Sequence, residues 1–214
     1  KTVRMGYDGK GQARLATAAD ADAAWHAIDR HAAVLEGFVT FAHEFSVLLV
    51  RGIDGEVRFW DSPVNVHEGG ILATSTLPPP GAVLDQQDEA RALMARIAGE
   101  LDYVGVLTGE FFVGDDGPIF NEMAPRVHNS GHWTIEGAVV SQFENHIRAV
   151  AGLPLGSTET AALPVIMHNL IGGGIETLPD LLADSACHVH HYGKAEVRDG
   201  RKLGHATWVG TSPA

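Results

Sequence analysis

Fourteen consecutive residues, Asn121 to Thr134 (NEMAPRVHNSGHWT), gather a carboxylate, a guanidinium, two histidines, two Asn amides and a Ser hydroxyl around one proline and one glycine. That density is foreign to a core, and the types are too selective for loop filler. Carboxylate oxygens suit a hard cation and Arg and His suit oxyanions, so the inventory fits an anion site beside a metal. A second carboxylate belongs with it. Glu110 and Glu122 lie nearly symmetric about Asp115 and Asp116, so an antiparallel hairpin sets them opposite or one step apart. Like charges facing each other destabilise a sheet, and a divalent cation between them removes the penalty. Mg²⁺ commonly takes one or two carboxylates with phosphate oxygens, and Asn121 adds a neutral oxygen. Two solvated strand glutamates are the plainer reading of the hairpin alone; the polar cluster after it favours the metal.

Three further segments have chemistry-bearing types. Gly6-Tyr7-Asp8-Gly9-Lys10-Gly11-Gln12 holds three glycines in six residues, with Lys1 and Lys10 to supply charge. Its backbone N–H groups can close around a phosphate, although an ordinary hairpin turn uses the same residues and no Walker A pattern is present. Glu36 and Glu44 flank a strand connection, Leu35-Glu36-Gly37-Phe38-Val39, able to offer backbone groups to an adenine and a carboxylate to ribose hydroxyls; two surface glutamates are the alternative. Lys194 to Lys202 (KAEVRDGRK) is the one basic cluster in an acidic chain, fit for a phosphate monoester or for a solvated hairpin. His188, His190 and His191 have period-two spacing and no nearby acidic partner, which favours strand residues over a zinc site.

The body that must position these groups is 214 residues long, 45% hydrophobic and formally charged −12. A real core is affordable in one large or two small domains, and a nucleic-acid partner, which calls for a basic stripe, is excluded. The single cysteine, Cys187, cannot form an internal disulfide and fits a reducing cytosol, so a cytoplasmic protein is expected. No run has membrane-spanning length and no segment resembles a signal, so no membrane partner is expected. A chain opening at Lys1 just before a Gly-rich loop reads as the C-terminal part of something longer. Periodicity predicts a helix within 18–33 and strands at Val34–Val39, Phe45–Val50 and through Val57–Val66. It adds helices over Asp85–Leu101 and Ala138–Val150 and a β-hairpin from Val104 to Met123, with a domain junction at Gly152–Gly156. The sum is α+β, with sheets made mostly of hairpins and helices on one side.

These stretches together resemble the N5-carboxyaminoimidazole ribonucleotide synthetase family, ATP-grasp ligases of purine synthesis. The matching segments are KTVRMGYDGKGQ at 1–12, Glu36 to Glu44, NVHEGGIL at 65–72, GEFFV and IFNEMAPRVHNSGHWT within 109–134, and GKAEVRDGRKLGH at 193–205. Asp199 departs from the proline usual in the last motif. The resemblance implies a partial ATP-grasp fold over 1–152, its antiparallel sheets flanked by helices and its N-terminal part absent, then a small β-rich domain at 153–214. It implies this reaction: ATP, bicarbonate and 5-aminoimidazole ribonucleotide give ADP, phosphate and the N5-carbamate, through carboxyphosphate or the CO₂ it releases. It also implies roles. Lys1 and Gly6 to Gln12 meet the ATP phosphates, Glu36, Gly37, Phe38 and Val39 form the adenine hinge, Glu44 holds the ribose, and His67 and Asn121 line the nucleotide. Glu110 and Glu122 hold Mg²⁺ or Mn²⁺, with Glu122 also beside the ATP. Arg126, Asn129, Ser130 and His132 serve the reacting groups. Tyr7 and Asp8 reach the ribotide, and Lys194, Arg201 and Lys202 take its phosphate. A homodimer is expected by analogy with the family. Another ATP-grasp carboxylase, or a nucleotide-binding fragment without turnover, remains the alternative, with a zinc hydrolase last.

Overall fold

The structure, a computed structural model, describes residues 1–4 and 11–213. The loop residues Gly6, Tyr7, Asp8, Gly9 and Lys10 therefore lie outside the described residues. The chain divides into two compact units, one of residues 1–40 with 67–71, the other of residues 41–66 with 72–214.

The larger unit is organised by β1 (Glu44–Arg51), whose interior is wholly buried. Its alternation sends Phe45, Val47 and Leu49 to one core cluster and Leu48 and Val50 to another. A strand covered on both faces reads as a continuous apolar run, as FSVLLV does. β1 pairs antiparallel with β2 (Val57–Phe59), β3 (Val64–Glu68) and β5 (Gly105–Val113). With β4 (Ile71–Leu77), β6 (Pro118–Ala124), β7 (Val165–Ile171), β8 (Cys187–His191) and β9 (Lys202–Val209), the described strands run in the order β6-β5-β1-β3-β4-β7-β9-β8, with β2 on β1.

On the Phe45 face lies α2 (Gly81–Glu100), which buries Val83, Ala90, Met94 and Ala98. It begins at Gly81, directly after Pro80, rather than at Asp85 as periodicity predicts. On the other face Trp60, Trp133, Ala149 and Leu155 pack with Leu48. Here α4 (Gln142–Val150) starts later than the predicted Ala138, because the Ser141 hydroxyl accepts the Glu144 amide at 3.2 Å and fixes the helix start. Ala138 instead bridges Thr160, just after a short α3 (Thr134–Gly137). A helix unread in the sequence, α5 (Leu178–Ala183), precedes β8.

In the smaller unit the predicted helix within 18–33 shrinks to a 3₁₀ turn, Ala18–Asp20, and α1 (Ala21–Ala27). Asp29 and Arg30 have φ of 52° and 58°, a left-handed conformation that stops the helix. The expected strand Val34–Val39 is absent. Its neighbour Ala33 makes one bridge, to Thr2, while Leu35 and Phe38 remain 83% and 78% exposed. β propensity becomes a strand only where another strand pairs with it.

Candidate functional site

The hairpin of β5 and β6 sets Glu110 directly opposite Glu122. Immediately beside this pair the register slips, so that Phe111 faces Phe120 and Asn121 becomes the extra residue of a β-bulge. A bulge re-aims side chains, and here it opposes two consecutive residues, Asn121 and Glu122, to the single Glu110. Two carboxylates and an amide oxygen form a hard, oxygen-only donor set, which fits Mg²⁺ or Mn²⁺.

The segment after β6 is tied back to that pair. His128 Nε2 stands 3.1 Å from Glu110 Oε1, and His128 Nδ1 is 2.9 Å from the hydroxyl of fully buried Ser130. Asn129 and Asn169, the latter on β7, exchange amide hydrogen bonds of 2.8 and 2.9 Å, and Asn169 also donates to the Leu72 carbonyl at 2.9 Å. Buried Gln142 clamps the backbone of His128, accepting its N–H at 2.8 Å and donating to its carbonyl at 2.7 Å. The same Gln142 nitrogen is 3.1 Å from His132 Nδ1. Gly131 permits this close approach: a Cβ there would overlap the Leu48 side chain and stand 2.7 Å from Gln142 Oε1. Trp133, 1% exposed, anchors the far end in the core. Arg126 is exposed and donates to the Val127 carbonyl at 3.0 Å. Glu44, on β1, pairs across to Phe112 and Asn65.

A second constellation lies on β8 and β9. Glu136 Oε1 meets His190 Nε2 at 2.5 Å, the His190 and His205 rings stack 4.6 Å apart at 12°, and His205 Nδ1 is 2.8 Å from the Tyr192 hydroxyl. The acidic partner missing from the local histidine sequence is thus Glu136, 54 residues away. One donor atom from each of Glu136, His190 and His205 lies within 4.8 Å of the others. Imidazoles bind metals in the ring plane, and two nearly parallel stacked rings do not aim at one point, so the cluster is a packed polar chain rather than a zinc centre. Beyond it Lys194 Nζ lies 5.5 Å from the Tyr192 ring centroid and donates to the Lys202 carbonyl at 2.7 Å. Arg201 donates to the Glu196 carbonyl at 3.3 Å and has that residue's carboxylate 3.6 Å away.

In the smaller unit Lys1 Nζ pairs with Glu36 at 3.3 Å, and the Arg14 guanidinium lies 5.1 Å from the Phe38 ring centroid. Gly37 and Val39 are exposed or half-buried in the same segment without regular structure, and His67 is half-buried near the end of β3.

The ATP-grasp domain family matches residues 1–143, two thirds of the chain. The chain belongs to the ATP-grasp family. A second family, the phosphoribosylaminoimidazole carboxylase C-terminal domain, matches residues 165–214 of this ATP-grasp chain. An N5-carboxyaminoimidazole ribonucleotide synthase of Brucella melitensis is 51% identical over 98% of the chain and 58% of its own length. The crystal structure of the synthetase from Thermus thermophilus superposes with a TM-score of 0.82 at 52% identity, covering 90% of this chain and 53% of that one. The Aspergillus clavatus enzyme in complex with ADP and 5-aminoimidazole ribonucleotide gives 0.85 at 31% identity, over 92% and 54%. The ATP-grasp chain therefore spans little more than half the length of these relatives.

Sequence patterns missed Gln142, Asn169, Glu136, Tyr192 and His205 as parts of the ATP-grasp chain's polar network. All are brought in by tertiary contacts, and none has a local signature. Burial, reinforced by neighbouring cationic and imidazole groups including His128, lowers His132 from 6.5 to about 4. Burial with His132 and His190 lowers His205 to about 3. Both histidines then stay neutral in the fold while taking up protons in the unfolded chain below about pH 6.5. Stability from this source is complete above that pH and falls as the pH drops toward 4, by about 1.4 kcal/mol per unit for each histidine. Urea denaturation between pH 7 and 4.5 checks this, and His205→Gln is expected to flatten the slope. Among the described residues no helix is long and apolar enough to cross a membrane.

Proposed function

We propose that this chain is part of an N5-carboxyaminoimidazole ribonucleotide synthase, which uses ATP and bicarbonate to carboxylate the exocyclic amine of 5-aminoimidazole ribonucleotide. The observation that carries the reading is the joining of an oxygen-only donor set to the NSGH loop through the 3.1 Å contact between Glu110 and His128. A cation site and an oxyanion site side by side are what carboxyphosphate formation requires. The 51% identity to a synthase of that name, and the ribotide-bound Aspergillus relative, support the substrate.

On this reading Glu110 and Glu122, with Asn121, would hold Mg²⁺, which when bound neutralises phosphate charge and orients the transferred group. Lys1, Glu36 to Val39, Glu44, His67 and the loop from Gly6 to Gln12 bind the nucleotide. Arg126 faces the charge that develops as bicarbonate attacks the γ-phosphate. Asn129, Ser130 and His132 orient bicarbonate or the aminoimidazole, Lys194, Arg201 and Lys202 take the ribotide phosphate, and Tyr7 and Asp8 belong to the residues that bind the ribotide. Positioning and water exclusion are the enzyme's main contributions, because carboxyphosphate hydrolyses readily. We assign 1–152 to the ATP-grasp domain and 153–214 to the small C-terminal domain, a boundary inside the gap between the matched stretches. A homodimer belongs to the same proposal.

The test is ATP hydrolysis with Mg²⁺ and bicarbonate, by this chain and by its full-length parent, with and without the ribotide. Ribotide-stimulated ADP release by the parent is expected. Nucleotide binding without any ribotide response would point to another ATP-grasp ligase.

A further inference from the structure

The nitrogen of a carboxamide has hydrogens to give and no lone pair to offer, so its contacts reveal which way a neighbouring histidine carries its proton. Gln142 is such a reporter. Its orientation is fixed by two backbone groups of His128 whose roles are set by their chemistry: the N–H must donate, and donates to Oε1 at 2.8 Å; the carbonyl must accept, and accepts from Nε2 at 2.7 Å. A flipped amide would set N–H against NH₂ and carbonyl against carbonyl. The second hydrogen of Gln142 Nε2 is then directed to the remaining contact, His132 Nδ1 at 3.1 Å. That ring nitrogen must accept.

We infer that Gln142 is a positioning residue that fixes His132 in the tautomer protonated on Nε2, so that His132 serves the site as a hydrogen-bond donor and not as a base. The surroundings agree. Gln142 is fully buried and its backbone N–H donates to Thr134 Oγ1 at 3.0 Å, which fixes the start of its side chain, while the carboxamide cannot rotate without losing both buried bonds to the His128 backbone. The His132 ring is packed against Phe143, His205 and Tyr192, with centroids 5.4, 5.1 and 6.3 Å away, which holds its plane. Burial that lowers the imidazole to about 4 keeps a second proton off Nδ1 at neutral pH. A neutral N–H donor stabilises a carboxylate-like oxygen without forming an ion pair that would impede release of the carboxyl group. It also leaves the proton of the attacking amine to another acceptor.

The tautomer follows from the hydrogen bonds alone; the ligand it serves rests on the synthase reading above. The two are tested separately. In this chain labelled with ¹⁵N-histidine, long-range ¹H–¹⁵N correlation at pH 7 is expected to show His132, identified by its loss in His132→Asn, with Nδ1 as the unprotonated nitrogen and Nε2 as the protonated one. The opposite pattern would overturn the inference with no variant needed. In the full-length enzyme His132→Gln, which restores an N–H donor near the Nε2 position but cannot act as a base, is expected to stay within about tenfold of wild-type kcat. His132→Leu is expected to lose about 10²–10³-fold, the usual cost of one donor to a developing oxyanion. Equal, near-complete loss in both would assign His132 as a base and end the donor role. If the parent shows no ribotide-dependent turnover while the Nε2–H tautomer is observed, the synthase reading fails and the role of Gln142 stands.

Discussion

Glu122→Gln in the full-length enzyme is expected to lower Mg²⁺-dependent ATP turnover by about 10²–10³-fold while the hairpin stays folded. The substitution keeps size and hydrogen-bonding capacity and removes only the charge. Glu122 is exposed on β6, so no core contact is disturbed. It faces Glu110 across the ladder, and two like charges at that spacing oppose each other when no cation lies between them. Removing one charge relieves that repulsion. The stabilisation that Mg²⁺ and ADP give the wild type should be lost, because a ligand stabilises only in proportion to its affinity for the folded state. Glu110→Gln is a less clean probe, since it also alters the contact with His128. Turnover and Mg²⁺-dependent stabilisation both unchanged in Glu122→Gln would remove the metal from this hairpin.

The facing glutamates were legible in the sequence because hairpin register is a local property, set by a four-residue turn flanked by strands of known length. The bulge at Asn121 was not, since one extra residue leaves no mark in composition. The misread strand at Val34–Val39 shows the converse limit. Its residue types suit a strand, but β structure depends on a partner, and within its unit the described residues offer only the bridge from Thr2 to Ala33. The loop residues Arg126 to His132 stand out as candidates by type alone, whereas the groups that hold them in place do not. Gln142, Asn169 and Glu136 join their partners across 14, 40 and 54 residues. Such residues have ordinary identities, and only the packed sheet gives them a role. Chemistry at the reacting atoms is restrictive and leaves a motif; support of those atoms is permissive and leaves none.

Lys194→Ala and Arg201→Ala are each expected to raise the KM for the ribotide by about ten- to a hundredfold, with the KM for ATP unchanged. A charge-assisted hydrogen bond to phosphate contributes about 1.5–3 kcal/mol, which converts to that range. The structural cost should be small. Lys194 contributes one bond, to the Lys202 carbonyl, and the approach of Arg201 to the exposed Glu196 carboxylate is the kind of surface pair worth about 0–1 kcal/mol. That approach suggests a second arm. Glu196 stands 3.2 Å from Arg198 and 3.6 Å from Arg201, so its carboxylate lies where an incoming phosphate would meet the same cations. Removing it with Glu196→Gln should lower the ribotide KM modestly, the opposite sign to the two alanine variants. Asp199 in the same turn acts in the same direction, and Asp199→Pro should do likewise. Inorganic phosphate should compete with the ribotide in the wild type and lose potency in Arg201→Ala. A ribotide KM that ignores all four substitutions would move the phosphate elsewhere, and with it the case for a ribotide substrate over that of another ATP-grasp ligase.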